Sequence, residues 1–221
     1  MTKTSKIKTL AAMAILAALA IAADLFLRIP GIGGFLTYEP KDVVLTIGAF
    51  IFGPVAGIIM SLVVCLVEMI TVSSTGPVGL LMNFLSSGMF VGVASVIYYR
   101  KKTMSRAISG LIAAVLSMTA IMLLWNYIVT PLYMGVTREQ VLAMFLPLLI
   151  PFNLIKASLN AALVLLLYKG VVTALRKSGL VPKREGSAGE NKRTNTILVI
   201  VISAVAVTTL LLVMLIFAKI I

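Results

Sequence analysis

Lys156 is the side chain in this sequence with the most to explain. It stands inside an apolar stretch, Pro151-Phe-Asn-Leu-Ile-Lys156-Ala-Ser-Leu-Asn160. A lysine at the centre of a membrane helix costs about 2.5–3.5 kcal/mol on insertion scales. Asn153 and Asn160 fall at i−3 and i+4 from it, so all three share one helix face. Such a row can both donate hydrogen bonds to a polar ligand and accept them. The competing reading is a network that joins helices, or a lysine snorkelling to the interface. Glu68, near the outer end of another apolar run, is a candidate counter-charge for Lys156 and equally an interfacial carboxylate. Asn126, between Trp125 and Tyr127 and before Pro131, suits a planar ring with amide-like edges. It suits an aromatic interface belt equally well. Asn83 and Ser87, at i and i+4, either line the same cavity or bond between helices.

Other chemistry is hard to build from these residues. Histidine is absent, and Cys65 is the single cysteine. That removes His-based acid–base catalysis, most zinc chemistry and an internal disulfide. There is no GxxxxGK[ST] phosphate loop, no paired carboxylates, no Cys–His pair and no metal-ligand cluster. Asp24 and Arg28, at i and i+4, read as a local ion pair. Catalysis, a metal and a cofactor are therefore not expected. A polar pocket without an energy source points to solute capture, with a partner supplying the energy.

The elements that must position these groups belong to a membrane protein. Of 221 residues, 61% are hydrophobic and only 12% charged, against about 45–50% and 25% in soluble domains. Mean hydropathy is +1.13. The net charge of +12 invites a nucleic-acid reading, but the charge placement rejects it. The basic residues form short clusters between long apolar runs, a positive-inside pattern. Apolar runs over residues 7–27, 78–99, 107–130, 143–168 and 196–218 are long enough to span. Residues 43–72 carry Gly53-Pro54 near their middle. Splitting the stretch there puts 14 of the 19 basic residues on one side, so about seven helices with a cytoplasmic N-terminus are expected. The N-terminal lysines, apolar run and Ala20-Ile21-Ala22 resemble a signal peptide. In a polytopic chain, a retained first helix is the expectation.

Three segments follow: a bundle over 1–177, a basic cytoplasmic linker over 178–195, and an additional transmembrane helix over 196–221. The linker carries Gly186, Ser187 and Gly189. The glycine-rich, apolar loop from Ile29 to Asp42 reads as a lid over a pocket, or as a connector with Asp42 as helix N-cap. Thr137-Arg-Glu-Gln140 reads as a capping box. Ala14, Ala18 and Ala22 recur every four residues, as do Gly53/Gly57 and Gly88/Gly92. Small residues at this spacing allow close backbone approach, either inside the bundle or against another membrane subunit.

The ordered motifs Thr37-Tyr-Glu-Pro-Lys-Asp42, Gly48-Ala-Phe-Ile-Phe-Gly-Pro54, Thr75-Gly-Pro-Val-Gly79 through Asn83-Phe84, Asn126-Tyr127 with Thr130-Pro-Leu-Tyr133, and Pro151-Phe-Asn-Leu-Ile-Lys156 resemble one family. It is the riboflavin-specific substrate-binding (S) subunit of energy-coupling factor (ECF) transporters, over roughly residues 5–177. The resemblance implies an all-α, polytopic membrane bundle with a six-helix core, to which this chain adds a C-terminal helix. It implies riboflavin capture from outside the cell, with FMN a second candidate ligand. Its partners would be a transmembrane coupling subunit, two ATPase subunits and the lipid bilayer of the cell membrane. Asn126, Asn153 and Lys156 match positions that hydrogen-bond the flavin's polar edge. Leu36, Thr37 and Tyr38 match the lid, and Ala14 and Ala18 the surface that meets the coupling subunit. Asn83, Glu68 and Asn160 complete the expected binding set, and Ala22 the docking stripe. Riboflavin's apolar planar face and uracil-like edge suit a mostly apolar pocket with a few placed amides and a lysine. Rival readings are an S subunit for another vitamin, such as thiamin, or a self-sufficient transporter.

Overall fold

A computed structural model describes residues 3–32, 35–72, 75–180, 200, 203–204 and 206–215. The elements in chain order are α1 (Lys3–Leu27), β1 (Ile29–Ile32), β2 (Leu36–Tyr38), α2 (Lys41–Phe52), α3 (Pro54–Thr71), α4 (Gly76–Tyr99), α5 (Met104–Met134), α6 (Arg138–Ala143), a π-helical turn (Phe145–Leu149) and α7 (Ile150–Lys177). A short apolar helix, α8 (Ala206–Leu215), follows. Among the described residues, five helical stretches are long and apolar enough to cross a membrane: Lys6–Leu27, Pro54–Thr71, Gly76–Tyr99, Met104–Met134 and Phe145–Lys177. With 12 residues, α2 reaches about 18 Å, well short of the roughly 30 Å hydrocarbon core. It completes a six-helix bundle by sitting at the centre, in contact with α1, α3, α4 and α7.

Local chemistry sets the breaks. Gly53 adopts φ 103°, and its N–H donates to the Ala49 carbonyl at 2.8 Å. Pro54 then starts α3, where its missing N–H costs nothing. The split expected at Gly53-Pro54 is therefore real. Gly135 ends α5 in the left-handed region, φ 67°. The capping box at Thr137 forms, with Thr137 and Gln140 bonded reciprocally. Prolines 147 and 151 lack the donors for a regular helical start, and the chain widens into the π-helical turn, with the Leu149 N–H donating to the Met144 carbonyl at 2.9 Å.

Some expectations need correction. The loop over 29–42 is not purely irregular: β1 and β2 pair antiparallel, with Ile29 opposite Tyr38. Pro40, not Asp42, occupies the N-cap of α2, and Asp42 lies in the first turn. Gly57 does mark a close approach, since a Cβ there would sit 2.4 Å from Ala49 Cβ and 2.8 Å from Val91 Cγ1. Gly88 and Gly92 do not, because their nearest neighbours are at ordinary contact distance. Of the linker expected over 178–195, residues 181–195 lie outside the described residues, as do 196–199, 201–202, 205 and 216–221 of the expected last helix.

Among the described residues, two of the three apolar clusters hold the six bundle helices together. One gathers α2, α4, α5 and α7 around Phe50, Phe90, Tyr98, Leu111 and Met118. Within it Phe50 stacks on Tyr98 at 4.2 Å, and the Tyr98 and Tyr168 hydroxyls bond at 2.9 Å. The other packs Leu16 and Ala20 of α1 against Leu45, Met60 and Val64.

Candidate functional site

A cavity of about 230 Å³ opens between the lid hairpin and α3, α4, α5 and α7. The lid contributes Phe35, Leu36, Thr37 and Glu39. Met82 and Asn83 come from α4, Met122, Trp125 and Asn126 from α5, and Phe152, Asn153 and Lys156 from α7. Glu68 reaches it from α3. Six of the eight expected binding residues other than Lys156 therefore meet on this one cavity: Leu36, Thr37, Glu68, Asn83, Asn126 and Asn153. Lys156 makes a seventh.

Tyr38 and Asn160 are placed elsewhere. The Tyr38 hydroxyl donates to Asn160 Oδ1 at 3.0 Å, and Asn160 Nδ2 donates to the Glu39 carbonyl at 3.3 Å. Neither lines the cavity; together they fasten the lid to α7. Ser87 is buried away from the lining. Tyr127 turns outward beneath the Arg138 guanidinium, 5.6 Å from its ring centroid, and Trp125 supplies the aromatic wall instead.

Donors and acceptors can be counted. Lys156 Nζ donates to the Glu39 carboxylate at 2.9 Å and to the Thr37 carbonyl at 3.4 Å. An ammonium has three donors, so one remains for the cavity. Asn126 Nδ2 donates to the Met122 carbonyl at 2.7 Å, while its Oδ1 accepts from Thr130 at 2.9 Å. Asn153 Nδ2 donates to the Leu149 carbonyl at 2.8 Å. Each amide keeps one N–H and at least one lone pair. The polar complement is thus one cationic donor and two bifunctional amides, set in walls of Met, Trp, Leu and Phe.

The charge arrangement differs from the expected one. Glu68 does not pair with Lys156. It accepts from Lys41, and Lys156 pairs with Glu39. Lys41 also lies 3.4 Å from the Glu39 carboxylate. Lys156, Glu39, Lys41 and Glu68 thus alternate in sign, and each charge set beside an opposite one offsets part of its desolvation cost. Burial alone would raise the Glu39 pKa. Lys156 and Lys41 outweigh it and hold the carboxyl well below the usual carboxylate range. Burial raises the Tyr38 phenol, which stays protonated as a donor.

The expected Asp24–Arg28 ion pair does not form: both Asp24 carboxylate oxygens and Arg28 Nε are buried without hydrogen-bond partners. Nor are carboxylates scattered, as the sequence suggested, since Asp24, Glu39 and Glu68 bring oxygens within 4.8 Å of one another. A cation could use that spacing. Lys41 and Lys156 already hold Glu39 Oε2, and Lys41 also holds Glu68 Oε2, so two of the three carboxylates belong to an ion-pair network, while Glu68 Oε1 and both Asp24 oxygens keep no hydrogen-bond partner. Sequence reasoning assigned no role to Glu39 or Lys41. The available signal was a pair of opposite charges flanking Pro40 in an otherwise apolar loop.

Residues 8–168 match the family model of the ECF transporter, substrate-specific component. The riboflavin transporter RibU of Staphylococcus aureus (strain TCH60) is 34% identical over 155 residues, 67% of this chain and 82% of that protein. The riboflavin transporter FmnP of Bacillus subtilis (strain 168) is 25% identical over 161 residues, 68% of this chain and 85% of that one. A solved S component of a bacterial ECF transporter superposes with a TM-score of 0.66 at 33% identity, covering 77% of this chain and 99% of the other.

Proposed function

The chain belongs to the family of ECF transporter substrate-specific components, and from that premise we propose that it captures riboflavin from outside the cell for an ATP-driven importer. It is a multi-pass membrane protein whose ATP hydrolysis is done by partner subunits, and it is not itself an enzyme. The observation that carries the choice of cargo is the cavity's polar set. Asn126, Asn153 and Lys156 present a free N–H each, with amide lone pairs beside them, next to an apolar slot walled by Trp125, Met82 and Met122. A uracil-like edge fused to an apolar ring asks for that combination. The names of the two curated relatives support riboflavin over thiamin.

The basic clusters support an N-terminus in the cytoplasm, which puts the hairpin lid and the cavity on the outer side. Ala14 and Ala18 are exposed and Ala22 half-buried. Ile15 and Leu19 beside them are also exposed. A small-residue stripe left open on α1 supports its use as the docking face for the coupling subunit. The test is a riboflavin fluorescence-quenching titration of the purified chain, with thiamin as competitor. Saturable quenching that thiamin does not displace supports the reading, and absence of quenching removes it.

A further inference from the structure

The C-terminal helix α8 lies beyond residues 8–168, the part that matches the family model. Ser203 and Met214 are buried and Val207 and Leu210 half-buried, whereas Thr208, Thr209, Leu211 and Leu212 are exposed. Positions 203, 207, 210 and 214 form one helical stripe. That stripe meets a second one on α7: Phe152, Ile155, Leu159 and Leu163. Ile29, Leu36 and Tyr38 of the lid complete the same apolar cluster. Met214 is fully buried there, and Tyr38 is 3% exposed.

Tyr38 therefore works in two directions. Its ring packs in the cluster with Met214, and its hydroxyl bonds Asn160 on α7. One residue on, Glu39 is pinned by Lys156. Polar bonds hold the hairpin from the α7 side, and an apolar wall holds it from behind. Without α8 that wall would be mobile acyl chains. Lipid offers no hydrophobic penalty for opening, so the difference lies in close packing.

We propose that α8 is a strap on the lid: Val207, Leu210 and Met214 are positioning residues that keep the β1–β2 hairpin closed and slow the release of captured cargo. The cargo part rests on the riboflavin reading; the effect on the hairpin does not.

The test uses the full chain in nanodiscs, as wild type, as M214A, as V207A/L210A/M214A, and as the conservative M214L. Two quantities are read: hydrogen exchange at the amides of 29, 31–32 and 36–38, and the rate of riboflavin release followed by its fluorescence. In the triple variant, hairpin exchange should rise and release should quicken, each by about tenfold, the equivalent of one lost packing contact of about 1.4 kcal/mol. M214A should fall between, M214L should stay near wild type, and exchange in α4 and α5 should not change. Hairpin exchange and release both within about twofold of wild type in the triple variant overturn the strap. So does exchange that rises equally in α4 and α5, which marks global loosening. If the triple variant does not fold, M214A decides alone by the same criteria. A wild-type chain that binds no riboflavin removes the cargo reading, while hairpin exchange still decides whether α8 holds the lid.

Discussion

Replacing Lys156 with methionine keeps its length and apolar stem while removing the ammonium. Two separate costs follow from the geometry. The cavity loses its one cationic donor, the third of the Lys156 hydrogens, since the other two go to Glu39 and Thr37. A hydrogen bond to a charged group contributes about 1.5–3 kcal/mol, so riboflavin affinity should fall about 10- to 150-fold from this loss alone. The lid also loses its clasp. Glu39 is left with Lys41 at 3.4 Å, and removing one partner of a buried pair costs about 3–5 kcal/mol. The part of that cost borne by lid closure adds to the affinity loss, and the part borne by the whole fold lowers the melting temperature. Fluorescence-quenching titration reads the first, and a thermal melt of the same sample reads the second. Lys41→Met is the matched control. Lys41 is fully buried between Glu68 and Glu39 but does not line the cavity. It should lower the melting temperature at least as much while leaving the surviving folded protein closer to wild-type affinity. A K156M protein that melts normally and binds riboflavin within about threefold of wild type would refute both the donor count and the clasp.

Other substitutions probe other parts of the structure. Tyr38→Phe removes the bond to Asn160 and should cost about 0.5–1.5 kcal/mol, seen as faster riboflavin release with little change in melting; an unchanged release rate would argue against a lid anchored there. Gly57→Val should prevent stable insertion or folding, because even one Cβ meets Ala49 and Val91 too closely; a well-folded G57V protein with a normal melt would contradict the packing described. Ala14→Leu with Ala18→Leu should leave binding intact and abolish uptake by the assembled transporter, so normal uptake would remove α1 as the docking face. The folded state holds the Glu39 pKa below its ordinary value of 4.5. Its stabilising charge is therefore fully present above pH 4.5 and declines as the pH falls below that value. Stability traced to Glu39, as the difference between wild type and E39Q, should be constant from pH 5 to 8; a midpoint near pH 6 would show that Lys156 and Lys41 do not govern it.

What was legible in the sequence was local or periodic. Asn153, Lys156 and Asn160 stand at i−3 and i+4, and that spacing alone placed them on one face of α7. Gly53-Pro54 declared the break between α2 and α3 because glycine and proline act on their own backbone. Thr137 and Gln140 declared the capping box for the same reason. Pairings across the bundle were not legible. Glu39 and Glu68 are 29 positions apart, and which of them takes Lys156 depends on where the hairpin lies. The hairpin itself has strands of four and three residues. Such short strands carry no periodic signal, and their place is set by Tyr38, Lys156 and Asn160 reaching across the fold. The sequence motif groups Tyr38 with the lid and hence with the expected binding residues. Its ring instead turns to the apolar cluster behind, where α8 offers the close packing.

The most direct measurement is the absorbance spectrum of the protein, expressed without added ligand, purified in detergent and then denatured. A yellow protein that releases riboflavin at close to one molecule per chain is the expected result. A colourless protein that also fails to quench added riboflavin would contradict the central claim and leave the membrane bundle in need of a different cargo.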